Sequence, residues 1–288
     1  MELAKYGLVT PNYNLVNDNT YKLEAVCQYF IVVDNVTKLA KLIQELNQEK
    51  LKYFVIGGGS NIILPKFYEG VIIKLAFNEL TINETSVKVG ASYALNKLAN
   101  ETVNLGLKGL EWATGIPGTV AGALIGNAGA HGGAIMDCLT QFEILENNEI
   151  KILQKNEIVY EEHQTNLKQN NIIIIGAEFT LTYDNREALV AIVQENTAKR
   201  LAAQPLEFPS AGSVFRNPPG GSAWKLIESA RFKGYTIGGA KVSEKHANFI
   251  INHDSATSED IINLIKQIQA AVLKMHGVNL ILEQQIIN

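Results

Sequence analysis

Hydrophobic residues along the chain recur with two periods, and the switches between them mark its organisation. Tyr29 to Val33 reads as a strand, and Val36 to Glu49 as a helix whose Leu39, Leu42, Ile43 and Leu46 fall on one face. Tyr53 to Ile56 reads as a second strand, which completes a β-α-β unit. Short extended runs follow at Val71 to Leu75, Leu80 to Ile82 and Val87 to Val89, then a helical stretch from Tyr93 to Asn104. From Leu139 onward the pattern is extended again, at Phe142 to Glu146, Glu149 to Leu153, Ile158 to Tyr160 and Ile172 to Thr182. Asn185 to Leu201 and Ser258 to His276 read as helices, the second closed by Gly277. Leu280, Leu282, Ile286 and Ile287 suggest a last strand, with Glu283 on it. The expected division is 1–75, 76–184 and 185–288, with a sheet-dominated middle third.

The composition narrows the function class. A chain of 288 residues with 47% hydrophobic residues can bury two or three cores. A formal net charge of -4, with no Lys/Arg run, argues against a nucleic-acid partner. Met1 to Asn12 has no apolar core and the run Ile172 to Ile175 is too short to span a bilayer, so the expectation is a cytoplasmic protein without a membrane partner. Cys27 and Cys138 stand far apart without metal-ligand spacing, which reads as two free thiols and no metal site.

Three segments carry candidate chemistry. Ile56, Gly57, Gly58, Gly59, Ser60 and Asn61 form a bare-backbone turn after a strand. Such a turn can present several N–H groups to a phosphate, or can simply be tight. It is neither a dinucleotide fingerprint nor a P-loop. The second segment runs from Gly109 to Gly133. Its many small residues leave room for a flat ring system and a pyrophosphate, or for a close-packed helix junction, although Asn127 and His131 fit the junction poorly. The third is Phe208 to Gly220, a Gly/Pro-framed turn that presents Ser213 with Arg216 and Asn217 just beyond. No Gly-x-Ser-x-Gly elbow surrounds Ser213. Its hydroxyl therefore reads as a cap for the helix suggested at Ser222 to Ser229, as a turn-satisfying group, or as a positioned proton donor that needs a cofactor.

The motifs VIGGGSNIIL, GLEWATGIPGTVAGALIGNAGAHGG, QPLEFPSAGSVFRNPPG, KGYTIGGAKVSEKHANFIIN and GVNLILEQQII resemble, in order and spacing, the UDP-N-acetylenolpyruvoylglucosamine reductase family of peptidoglycan precursor synthesis. The resemblance covers nearly the whole chain and is to the shorter subtype. It implies a FAD-binding fold of the vanillyl-alcohol-oxidase type, two α+β subdomains plus a substrate-binding domain. It implies FAD as cofactor, NADPH as reductant and UDP-N-acetylglucosamine enolpyruvate as small-molecule substrate. FAD would be lined by Ile56 to Asn61, by Thr114, Gly115, Ile116, Pro117, Gly118, Thr119 and Val120, and by Gly122, Asn127, Ala128, Gly129 and Gly132. Hydride would pass from flavin N5 to the vinyl carbon. Ser213 would protonate the adjacent carbon, and Glu283 would help polarise the enolpyruvyl carboxylate. Asn217, His246 and Arg216 would contact substrate.

The chain departs from the family pattern at three places. Where the family carries Tyr-Arg-x-Ser, this sequence reads Tyr160-Glu161-Glu162-His163, so a cation becomes Glu161. A lysine before Gln-Pro is Ala203, and Glu24-Ala25 stands for Gly-Gly. Arg216, Lys225, Lys241, Lys245 and His163 are candidate replacement cations. The alternative function is a flavin-binding relative with altered substrate or lost catalysis.

Overall fold

The computed structural model describes residues 2–161, 164–169 and 172–288. The chain divides into two compact units, one of Met1–Pro11, Tyr29–Gly58 and Gly70–Lys199, the other of Asn12–Gln28, Gly59–Glu69 and Arg200–Asn288.

In the first unit, helix Val36–Gln48 forms where the 3.6-residue spacing places it, and Leu39, Leu42, Ile43 and Leu46 are its buried residues. Asn35 caps its start, the side-chain oxygen accepting from Lys38 N–H at 3.0 Å. Strand Tyr53–Ile56 pairs in parallel with the strand Phe67–Leu75, which lies in the sheet between it and the strand Val26–Val33, so the two strands that the helix joins are not direct neighbours. These elements enclose one core with Ile31, Val33, Val71 and Ile73. A second core lies under a five-stranded antiparallel sheet in the order Glu149–Gln154, Leu139–Glu146, Ile173–Thr180, Ser86–Gly90, Leu80–Asn83. The middle third is therefore sheet-dominated, as its extended pattern predicts.

The glycine-rich stretch holds an element that the sequence pattern does not reveal. Val120–Gly126 is a short helix, capped by the Thr119 hydroxyl, which accepts from Gly122 N–H at 3.3 Å. Asn127 ends it in the left-handed conformation at φ 41°. Gly129–Ala130 then pairs with Gly133–Ala134 in a tight hairpin around His131 and Gly132.

In the second unit, helix Ser258–His276 carries a reciprocal cap between Thr257 and Asp260 and terminates at Gly277, φ 67°. It packs Ile261, Leu264, Ile265, Ile268 and Val272 into a core shared with Tyr21, Ile63, Val214 and Phe215. Helix Ala223–Ser229 starts where expected, but no serine hydroxyl caps it; the Asn217 side-chain oxygen accepts from Ala223 N–H at 3.0 Å. The last strand is shorter than its apolar pattern suggests, only Gln285–Ile286, paired in parallel with Ile62–Ile63. Glu283 lies two residues before it. Among the described residues no helix is long and apolar enough to cross a membrane, and no cluster of His, Cys, Asp and Glu could hold a metal ion.

Candidate active site

The first unit contributes a cradle made mostly of main chain. Ile56 ends its strand, and Gly57 and Gly58 lie against the segment before helix Val120–Gly126. A Cβ on Gly58 would come within 2.6 Å of the Gly118 Cα, so the two backbones approach closer than any side chain allows. The Gly118 carbonyl accepts from Leu95 N–H, and Val120 N–H donates to Tyr93, so the segment is fixed from behind. Thr114 and Ile116 sit in the turn after Trp112, whose indole N–H holds the Gly109 carbonyl at 3.0 Å. Ala128 N–H and carbonyl are both engaged, with Ala123 and Ile135. Added Cβ atoms at Gly126 and Gly132 would meet nothing within 4 Å.

Asn127 is 5% exposed, and its amide N–H2 donates to the Glu161 carbonyl at 2.8 Å. Its side-chain oxygen has no partner among the described residues. An orphaned buried acceptor beside bare backbone is incomplete as it stands, because a native interior satisfies such groups. A flat cofactor with N–H donors and a phosphate chain supplies what the cradle lacks. Ile56 to Gly58, Thr114 to Val120, Gly122 and Asn127 to Gly132 thus fit a flavin dinucleotide.

The second unit holds Gly59, Ser60 and Asn61 together with the proton-donor candidates. Thr20 N–H donates to the Gly59 carbonyl at 3.1 Å. Asn61 bonds the C-terminal segment twice, its amide donating to the Glu283 carbonyl at 3.4 Å and its own carbonyl accepting from Gln285 N–H at 2.9 Å. Glu283 N–H in turn donates to the Val214 carbonyl at 2.9 Å, beside Ser213. So Asn61, Ser213 and Glu283, separated by up to 222 residues, are joined through three main-chain segments.

The serine turn is held without regular secondary structure. Ser213 and Phe249 form an isolated bridge, as do Phe215 and Leu282. Asn248, 5% exposed, clasps Phe215 from both sides, its oxygen accepting from Phe215 N–H at 3.0 Å and its amide donating to Phe215 O at 2.7 Å. The Ser213 side chain is half-buried, and its hydroxyl has no hydrogen-bond partner among the described residues. That hydroxyl is not spent on a cap or on its own turn, two of the readings the sequence left open. Asn248 is the residue that sequence reasoning missed here; an asparagine inside the apolar run from Ala247 to Ile251 was the available signal.

The remaining candidates surround this turn. Arg216 N–H donates to the Ile281 carbonyl at 2.9 Å, and Asn217 caps the neighbouring helix. The His246 ring packs 4.9 Å from Phe249 and 6.5 Å from Trp224, and its Nδ1 accepts from Asn248 N–H at 3.2 Å. Burial lowers its pKa below the ordinary histidine value, so the neutral ring is favoured.

Of the possible replacement cations, Lys241 pairs with Glu244 at 2.6 Å and Lys245 with Glu207 at 3.7 Å, while Lys225 sits 5.5 Å over the Trp224 ring. His163 lies outside the described residues. Glu161 is exposed in the hairpin of Tyr160–Glu161 with Gln164–Thr165, and Ala203 is exposed at the end of helix Arg186–Ala203.

The model of the UDP-N-acetylenolpyruvoylglucosamine reductase C-terminal domain matches residues 204–287, and that of an FAD binding domain matches residues 27–150. The reductase of Caldanaerobacter subterraneus subsp. tengcongensis is 38% identical over 99% of this chain and 96% of its own. That of Carboxydothermus hydrogenoformans is 40% identical over 97% and 94%. The chain belongs to this reductase family. Family membership makes it an FAD-dependent oxidoreductase that handles a small-molecule substrate. The crystal structure of UDP-N-acetylenolpyruvylglucosamine reductase from Thermus caldophilus aligns with a TM-score of 0.83 at 28% identity, covering 98% of both chains. A BBE-like protein of Physcomitrella patens, 12% identical with a TM-score of 0.52 over 94% of this chain and 87% of its own, shares the fold alone. The fold is the α+β FAD-binding type of the vanillyl-alcohol oxidases with a reductase C-terminal domain.

Proposed function

We propose that the protein reduces UDP-N-acetylglucosamine enolpyruvate to UDP-N-acetylmuramate in the cytoplasm, with NADPH as reductant, for peptidoglycan precursor synthesis. Residues 1–75 and 76–184 act as the FAD-binding subdomains and 185–288 as the substrate-binding domain. Bound FAD supplies a ring that takes hydride from NADPH and returns it to the terminal vinyl carbon of the substrate. Ile56 to Asn61, Thr114 to Val120, Gly122, Asn127, Ala128, Gly129 and Gly132 hold it.

Ser213 delivers the proton. The observation that carries this reading is its half-buried hydroxyl, unengaged by any described residue, on a turn that Asn248 and the Glu283 N–H fix on both sides. A general acid works from a defined direction, and a hydroxyl already donating elsewhere would have to break that bond first. Negative charge on the carbon next to the substrate carboxylate is taken up as the O–H bond breaks, and solvent then reprotonates the serine. Glu283 acts on that carboxylate, which requires its own carboxyl to carry a proton when it donates. Arg216, Asn217 and His246 contact the substrate around the turn.

Anaerobic stopped-flow absorbance of the FAD-loaded protein tests the reading. NADPH should bleach the flavin band, and UDP-N-acetylglucosamine enolpyruvate should restore it within seconds. Glu161 and Ala203, in place of two family cations, favour a second reading, a flavin-binding relative with altered substrate or lost catalysis. Bleaching without restoration by this substrate would establish that second reading instead.

A further inference from the structure

We propose that Gln284, held by Tyr21, is the positioning residue that aims the Ser213 hydroxyl from the N-terminal side of its turn. The inference rests on the reading of Ser213 as proton donor. It arises from the residue immediately before the serine. Gly212 sits at φ 74°, where only glycine is unstrained, and nothing larger than hydrogen restrains its rotation. Asn248 fixes the chain after Ser213, at Phe215, but does not reach back across that glycine.

Gln284 does. Its amide N–H2 donates to the Ala211 carbonyl at 3.0 Å and to the Gly212 carbonyl at 3.2 Å. Its oxygen accepts from the Tyr21 hydroxyl at 3.0 Å. The side chain is 3% exposed and Tyr21 is fully buried, so water cannot substitute for any of these partners. The network has one satisfied orientation. Carbonyls only accept, so the N–H2 must face Ala211 and Gly212, which turns the oxygen toward Tyr21 and makes the phenol the donor.

The far side of the network returns to the same segment. The Tyr21 carbonyl accepts from the Asn252 amide at 2.9 Å, and Asn252 N–H donates to the Pro209 carbonyl at 2.8 Å. The stretch from Pro209 to Gly212 is thus pinned at both ends through Asn252, Tyr21 and Gln284. Gln284 also follows Glu283 directly. The chain bends at Gln284, and the neighbouring Glu283 is half-buried. One buried amide therefore fixes the chain on the N-terminal side of Ser213.

Buried hydrogen bonds also stabilise a fold, and the test separates the two roles. In FAD-loaded protein, Gln284→Met and Tyr21→Phe should leave the flavin spectrum and its bleaching by NADPH unchanged. Reoxidation by the enolpyruvyl substrate should slow roughly ten- to a hundredfold in Gln284→Met, the scale of a misaimed reacting group, and less in Tyr21→Phe. The double variant should be no slower than Gln284→Met alone, because both act through one chain of bonds. The solvent deuterium isotope effect on reoxidation should rise as proton delivery becomes limiting.

Reoxidation within twofold of the unmodified protein in both variants would overturn the proposal and leave the Ser213 reading standing. So would an equal fall in both half-reactions alongside a lowered Tm, which marks a structural role only. If the unmodified protein is never reoxidised by substrate, the Ser213 reading itself fails and this inference with it. Tyr21→Phe removes a single oxygen and decides the matter if Gln284→Met does not fold.

Discussion

The two units hold their candidate residues in place by opposite means. In the first, the cradle around Gly58 and Gly118 is shaped by what is missing, since side chains are absent where backbones meet. In the second, the turn around Ser213 is shaped by what is added: two buried amide side chains, Asn248 and Gln284, bond main-chain groups of a segment that belongs to no sheet, and the Asn252 N–H holds Pro209. A surface for a large flat cofactor can be made from bare chain. A single hydroxyl that must point one way needs directional bonds on either side. The difference predicts that damage to the cradle removes the cofactor, whereas damage to the serine turn leaves a yellow protein that cannot finish its reaction.

Ser213 aside, the largest departure is expected at Glu283. Glu283→Ala keeps the main-chain N–H that holds Val214, so FAD content and NADPH bleaching should be unchanged while reoxidation by substrate falls roughly a hundredfold or more, the usual loss of a group that stabilises developing charge. An equal fall in both half-reactions would break the proposed separation.

Asn248→Leu comes next. It strips Phe215 N–H and C=O of their partners in a buried site, at a cost of about 1–3 kcal/mol for each unsatisfied group. Urea unfolding should show the lost stability, and the surviving folded fraction should reduce its flavin normally but reoxidise slowly.

Gly58→Ala should cost about 1–3 kcal/mol, because the new methyl group overlaps the Gly118 backbone and neither main chain can yield cheaply. Here the flavin signal itself should fall, read as weaker FAD retention on gel filtration. Full retention with slow reoxidation would put Gly58 in the wrong half of the comparison.

The smallest effect is a pH dependence. Burial depresses the His246 pKa, so the folded protein disfavours a proton that the unfolded chain accepts near pH 6.5. Stability is therefore fully present above that pH and declines as pH falls through it toward the lower folded value. A Tm series from pH 8 to pH 5 should show the decline, and His246→Phe should flatten it.

The same contrast explains what was legible in the sequence. Helix Val36–Gln48 and strand Tyr53–Ile56 were readable because Leu39, Leu42, Ile43 and Leu46 record their burial in a local period. The glycine segments were readable because a cradle made of missing side chains leaves a compositional trace. Strand Leu8–Asn14 was not, because no residue in it is buried and Pro11 interrupts it. Helix Val120–Gly126 was hidden among small residues that favour no element, and its boundaries come from Thr119 and Asn127. The main-chain partners of the Asn248 and Gln284 side chains lie 33 and 72 or 73 residues away, so no window of sequence contains both ends of those bonds.

The most direct test of the account is the pair of half-reaction rates in Ser213→Ala. NADPH should bleach the bound flavin as fast as in the unmodified protein, and reoxidation by UDP-N-acetylglucosamine enolpyruvate should fall by roughly 10²- to 10⁴-fold, the range of a lost general acid. Reoxidation at the unmodified rate would show that the proton comes from another group and that the fixed turn serves a different purpose.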